Sequence, residues 1–388
     1  MIKKVIVLIS VISLLRVELF AQKEDAILIS QDSLHLMIGQ MILIGVGDDD
    51  YLDKSNPVFD AIEQGKVGSI ILFEKNISFE DPKKHLKEIV GFAQKKSKIP
   101  LFVSIDQEGG RVNRLKPRYG FPKSVSAEYL GSLNNLDSTR YYAEQTAKTL
   151  HALGINMNFA PSVDVNINPQ SPAIGKMERS FSVEHQLVST HAAIVVETHK
   201  NYNIGTTLKH FPGHGSSQSD THLGIADVTN NWKIDELYPY KALIDAGSVS
   251  AIMTAHIVNG VLDKTKTPAT LSKPIVDGLL RGFLGYQGVV FSDDMQMQAI
   301  ASEHGLEEAI KESIMAGVDI LLFANNVPDY QLVTPNQIFD IIQFLVSNGD
   351  IPESRIKASF DRIIKLKKEL GLLEKDYKTK LNNRLKKN

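Results

Sequence analysis

Eight short apolar runs, each separated from the next by a longer polar or amphipathic stretch, constrain this chain more than any other feature. They lie at 41–46, 68–73, 101–105, 155–159, 205–208, 251–254, 288–291 and 320–323. Each has the length of a strand and is rich in branched or aromatic residues, and several begin just after a glycine or proline. Helix-period spacing fills intervals at 138–153, 183–202, 234–246 and 273–282, and returns at 352–370. Ser182 and Ser272 stand where N-caps belong, and Pro274 falls in a first turn, where its missing N–H is harmless. Strand and helix alternating eight times predict an α/β fold: a (β/α)8 TIM-type barrel over 30–373, as a single domain. An open doubly wound sheet is the alternative on pattern alone, but no glycine-rich phosphate fingerprint follows an early strand.

Both ends read as lying outside this domain. Lys3 and Lys4 precede an apolar run at 5–15, and the small Ala21 follows, which predicts a signal peptide over 1–21. The run is too short to span a bilayer comfortably, so the expectation is an exported protein, periplasmic or extracellular, with no stable membrane span. Residues 374–388 are rich in lysine and read as a basic, solvated C-terminal tail. Charge is otherwise balanced, with 43 basic against 45 acidic residues, which argues against a nucleic-acid partner. There is no cysteine, so disulfides, zinc–cysteine sites and thiol catalysis are excluded.

In a barrel of this kind chemistry gathers where the strands end. The third run ends in Asp106-Gln107-Glu108-Gly109-Gly110-Arg111, with Arg114 shortly after, and the fourth leads to Asp164. The fifth ends in Lys209-His210-Phe211-Pro212-Gly213-His214-Gly215, the sixth in His256, and the seventh in Asp293-Asp294. Any one of these is a common way to end a strand; five together point to an enzyme. Carboxylates facing hydroxyl-binding donors suit cleavage of a glycosidic bond, which needs an anion beneath the anomeric carbon and a proton donor beside the leaving oxygen. Asp293, rigidly held at a strand end, suits the anion, while Asp294 suits a helix cap. Asp220-Thr221-His222 offers the proton donor, because a carboxylate on one ring nitrogen fixes the tautomer and leaves the other nitrogen to give and take a proton. His210, His214 and His256 also permit a metal-dependent barrel hydrolase, although ligands at i, i+4 converge on a helix and Pro212-Gly213 intervenes.

Taken together these segments resemble glycoside hydrolase family 3, in its bacterial β-N-acetylhexosaminidase branch. The likeness is carried by Asp106 to Arg114, Arg179-Ser180-Phe181, Lys209 to Gly215 with Asp220-Thr221-His222, and Phe291-Ser292-Asp293-Asp294-Met295, in that order, over about 34–373. The resemblance implies a retaining exo-β-N-acetylglucosaminidase acting through a covalent glycosyl-enzyme. Asp293 would be the nucleophile and His222, paired with Asp220, the acid/base. Asp106, Arg114, Arg179, Lys209 and His210 would hold the hydroxyls and acetamido group of the terminal sugar. Lys176-Met177-Glu178 makes the stretch between Gly175 and Arg179 longer than the family usually has. No cofactor and no metal is implied. The expected substrate is a small carbohydrate, GlcNAc linked to (anhydro)muramic acid in peptidoglycan fragments. The alternatives keep the site and change the chemistry: a phosphorylase using the same dyad, in which phosphate replaces water, or a β-glucosidase.

Overall fold

The structure is a computed structural model that describes residues 34–47, 56–220, 224–301, 305–326 and 332–386. Eight strands form its centre: β1 Ile42–Gly45, β2 Ser69–Leu72, β3 Phe102–Ile105, β4 Met157–Asn158, β5 Gly205–Phe211, β6 Ala251–Thr254, β7 Val289–Asp294 and β8 Ile320–Phe323. Every neighbouring pair is parallel, and β8 returns to pair with β1, so the sheet closes into a barrel in sequence order. The expected (β/α)8 barrel is the fold observed.

Closure removes both sheet edges and leaves an interior that side chains must fill. Phe291 of β7 touches Phe102 of β3 and Phe159, which follows β4, with ring centroids 6.4 and 5.3 Å apart. These strands are not neighbours in the sheet, so the rings meet across the interior. The opposite end of the barrel is closed by Lys367, fully buried, whose ammonium donates to the Gln40 side chain and to the Gly68 carbonyl (3.1 Å). Burial pushes that lysine down to about 7.

The helices correspond to the expected segments with local revisions. The helix Leu136–Leu153 starts two residues early because Asn135 caps it, accepting from the Ser138 N–H. The helix His185–Lys200 starts later than its apolar pattern, since Ser182 closes a turn on the Glu184 N–H instead of capping. The 234–246 segment divides into a 3₁₀ turn, Ile234–Leu237, and a helix, Tyr238–Asp245. The segment after Ser272 winds as a π-helix, Pro274–Phe283.

The C-terminal segment is a correction. It is not a solvated tail: Tyr377–Leu385 is a helix whose Tyr377 and Leu381 are buried. Tyr377, Leu381 and Leu385 recur every four residues and form an apolar stripe that the surrounding lysines mask in composition. Leu381 and Leu385 pack beside Gly154, and Lys378 donates to the Ser97 carbonyl at 2.6 Å. The expected signal peptide, 1–21, lies outside the described residues. Among the described residues no helix is long and apolar enough to cross a membrane.

Candidate active site

A cavity of about 320 Å³ opens at the C-terminal ends of the strands. Its floor is the last apolar layer of the barrel, Ile71, Phe159, Met253 and Leu322. Its walls include Asp106, Arg114, Arg179, Lys209, His210, Asp220 and Asp293. Seven of the eight residues singled out from sequence therefore meet in one place. The eighth, His222, lies outside the described residues.

Consecutive residues of a regular strand face opposite ways, so a strand normally offers a cavity only one side chain in two. Two strands escape this limit. The β5–β6 pairing shifts register between Leu208 and Phe211, and Lys209 and His210 both reach the cavity wall from within that irregularity. The β7–β8 pairing shifts between Phe291 and Asp294. There the Ser292 hydroxyl accepts the Leu322 N–H at 2.9 Å, and Asp293 turns to the cavity. Asp294 does not cap a helix. Its carboxylate accepts from the N–H groups of Gln296 (3.2 Å) and Ala324 (3.1 Å), which ties the end of β7 to the end of β8.

Around the cavity runs a buried network of charge. Asp106 accepts from Lys209 at 2.7 Å and Arg114 at 3.3 Å. Lys209 also reaches Glu108 at 2.7 Å, and Glu108 takes a bidentate pair of bonds from Arg179 at 2.7 and 3.0 Å. Burial opposes the charge on Asp106, but Lys209 and Arg114 outweigh it and hold the carboxyl below its usual range. Glu108 is likewise opposed by burial, and Arg179 and Lys209 hold it well below. Sequence reading assigned Glu108 no role. The available signal was its spacing: two residues after Asp106 in an extended segment, it faces the same way.

Asp164 organises the wall behind the cations. Fully buried, it accepts from His210 Nδ1 at 2.7 Å, from the backbone N–H groups of His210 (3.2 Å) and His214 (2.8 Å), and from the Ser162 hydroxyl at 2.9 Å. Burial alone would raise this carboxyl; the donors, His210 foremost, hold it well below the carboxylate range. Arg179 donates to His210 Nε2 at 2.9 Å. An arginine cannot accept, so Nε2 is the acceptor of this bond and Nδ1 the donor to Asp164. His210 thus aims Arg179 while lining the cavity.

Among the described residues the metal arrangement is not formed. His210 spends its two ring nitrogens on Asp164 and Arg179, whereas His256 spends its own on Thr270 (2.8 Å) and the Asp294 carbonyl (2.9 Å). Among the described residues no three ligating side chains converge on a point. His256 instead anchors the β7 terminus beside Asp293.

A closed parallel barrel with a small, charged pocket at the C-terminal ends of its strands is an enzyme scaffold. Residues 33–366 match the model of the glycosyl hydrolase family 3 N terminal domain, and the chain belongs to that family. It is 34% identical over 333 residues to beta-hexosaminidase A of Pseudoalteromonas piscicida, spanning 80% of this chain but only 55% of that protein. A beta-hexosaminidase of Nitrosomonas eutropha is 34% identical over 272 residues, 68% of this chain and 75% of that one. Among solved structures, a glycoside hydrolase family 3 beta-N-acetylglucosaminidase from Paenibacillus superposes with a TM-score of 0.80 and 32% identity. The match covers 91% of this chain and 68% of that one. A beta-N-acetylhexosaminidase from Beutenbergia cavernae gives 0.76 and 26%, over 87% of this chain and 99% of that one.

Proposed function

We propose that this chain is a retaining exo-β-N-acetylglucosaminidase. The observation that carries the reading is the position of Asp293, at the end of β7 and facing a pocket whose other walls hold Asp106, Lys209, Arg114 and Arg179. Asp293 attacks the anomeric carbon and forms the glycosyl-enzyme; His222, oriented by Asp220, protonates the leaving oxygen and then takes a proton from water. Asp106 accepts from sugar hydroxyls, and Lys209, Arg114 and Arg179 donate to the hydroxyls and the acetamido group. A cavity of about 320 Å³ is at the small end of ligand pockets, roughly 300–1,000 Å³, which favours one terminal sugar over an internal chain segment. The names of the hexosaminidase relatives support the acetamido sugar as its specificity.

The substrate we infer is GlcNAc β-1,4-linked to muramic or anhydromuramic acid, met outside the inner membrane after export directed by residues 1–21. The test is turnover of nitrophenyl β-N-acetylglucosaminide and nitrophenyl β-glucoside by wild type and Asp293→Ala, with products analysed in the presence and absence of phosphate. Preference for the acetamido sugar, lost in the variant, with free GlcNAc as product, is expected. Preference for the glucoside, or a sugar 1-phosphate when phosphate is present, overturns the assignment.

A further inference from the structure

The segment that leads from β5 to Asp220 is held from both sides. On one side stands the loop after β4: Asp164 accepts the His214 N–H, and the Asn168 N–H donates to the Gly215 carbonyl at 3.0 Å. A Cβ on Gly215 would lie 1.7 Å from the Val165 carbonyl oxygen, so the two backbones run flush. On the other side stands Glu236, on the 3₁₀ turn where the chain returns to the barrel. It is fully buried, and its Oε2 accepts the Gly215 N–H at 2.7 Å. Gly213 has φ +115°, and a Cβ there would lie 2.5 Å from the Glu236 Cβ.

The mechanism does not use Glu236, and among the described residues it makes no ion pair. The titratable groups around it are Asp164 on one flank, His214 on the clamped segment and Tyr240 on the helix that follows. Among the described residues the Tyr240 hydroxyl and both ring nitrogens of His214 have no hydrogen-bond partner. A buried carboxyl without a cation, near the Asp164 anion, is disfavoured as an anion. Burial foremost, with Asp164 adding to it, pushes it up to about 8, against the Ser216 hydroxyl and the backbone N–H groups of Gly215 and Ser216. Burial also pushes His214 down to about 4, so neither group supplies charge to the other at neutral pH.

We propose that Glu236 is a positioning residue for general acid/base catalysis: it clamps Gly213–Gly215 against the loop after β4 and thereby sets where Asp220 stands at the cavity. Such a clamp acts without touching the sugar. Two fixed points at 213–215 set the direction in which the chain leaves β5 toward Asp220, and general acid catalysis requires placement within hydrogen-bond reach. The inference rests on the proposed role of the Asp220–His222 pair.

The test is kcat and KM on an N-acetylglucosaminide with a dinitrophenolate leaving group and on one with a sugar leaving group. The enzymes are wild type, Asp220→Ala, Glu236→Ala, Glu236→Gln and Gly213→Ala. Glu236→Ala is expected to lower kcat about 100-fold on the sugar aglycone and under about 10-fold on the dinitrophenyl substrate. KM should stay within about threefold. Gly213→Ala, which presses on the same contact from the loop side, should repeat that pattern even if Glu236→Ala fails to fold. Glu236→Gln, a neutral isostere, should restore turnover. An Asp220→Ala enzyme equally slow on both substrates overturns the dyad on which the inference rests. If Asp220→Ala shows the leaving-group pattern while Glu236→Ala and Gly213→Ala lose turnover evenly, Glu236 is structural only and the inference falls.

Discussion

Replacing Glu108 by glutamine deletes one charge from a buried network and leaves its volume unchanged. Beside the cavity Glu108 pairs with Arg179 and Lys209, and Lys209 and Arg114 pair in turn with Asp106. The substitution takes the bidentate carboxylate from Arg179 and one of two carboxylates from Lys209, which is 2% exposed. Removing one partner of a buried pair costs about 3–5 kcal/mol, because the remaining charge is desolvated without compensation. Urea unfolding at neutral pH should show the midpoint fall by the equivalent of that loss, with the slope unchanged. The pH dependence has a definite sign. Glu108 is held below its ordinary 4.5, so its contribution is present above that pH and drains away as pH falls toward the lower folded value. The gap between wild type and variant should therefore be widest near neutrality and narrow below about pH 4.5. Activity should fall as well, since Arg179 and Lys209 are no longer aimed. Equal midpoints at neutral pH, with unchanged kcat/KM, would refute the reasoning that this network is held together by charge.

Glu236 titrates the other way. A carboxyl raised to about 8 stabilises the fold fully below its unfolded value of 4.5, and that contribution is lost as pH rises through about 8. Glu236→Gln should flatten stability across that window in unfolding curves taken at several pH values; parallel pH profiles would contradict a buried protonated carboxyl. His222→Ala should lose about 10²-fold or more in kcat on a sugar leaving group and far less on dinitrophenolate, and azide should accelerate the second step by replacing water. Uniform loss would make His222 a binding residue. Leu381→Ala should cost about 2–4 kcal/mol, because the residue is buried against Gly154 under the barrel helices. A variant as stable as wild type would mean that the C-terminal helix adds nothing to the domain.

The barrel was legible because its signal is periodic and repeated. Eight runs such as 101–105 and 320–323 must be buried on both faces, and only a parallel sheet covered by helices does that for every run at once. The placement of Asp106, Lys209, His210 and Asp293 at the cavity was legible for a related reason: each lies within two residues of the end of such a run, and the ends of parallel strands converge by construction.

Other features depended on contacts distant in sequence. That Lys209 and His210 both reach the cavity follows from a register shift against β6, which no local pattern announces. Glu108 gained its role from Arg179, 71 residues away, and Glu236 from Gly215, 21 residues away. The lysine-rich C-terminus looked solvated because composition averages over faces, whereas Tyr377 and Leu381 are buried by helices already in place. Sequence alone determined which side chains could do chemistry and the scaffold they stand on. Tertiary structure decided which of them carry charge and which are neutral, because those states depend on burial and on partners that only folding brings within reach.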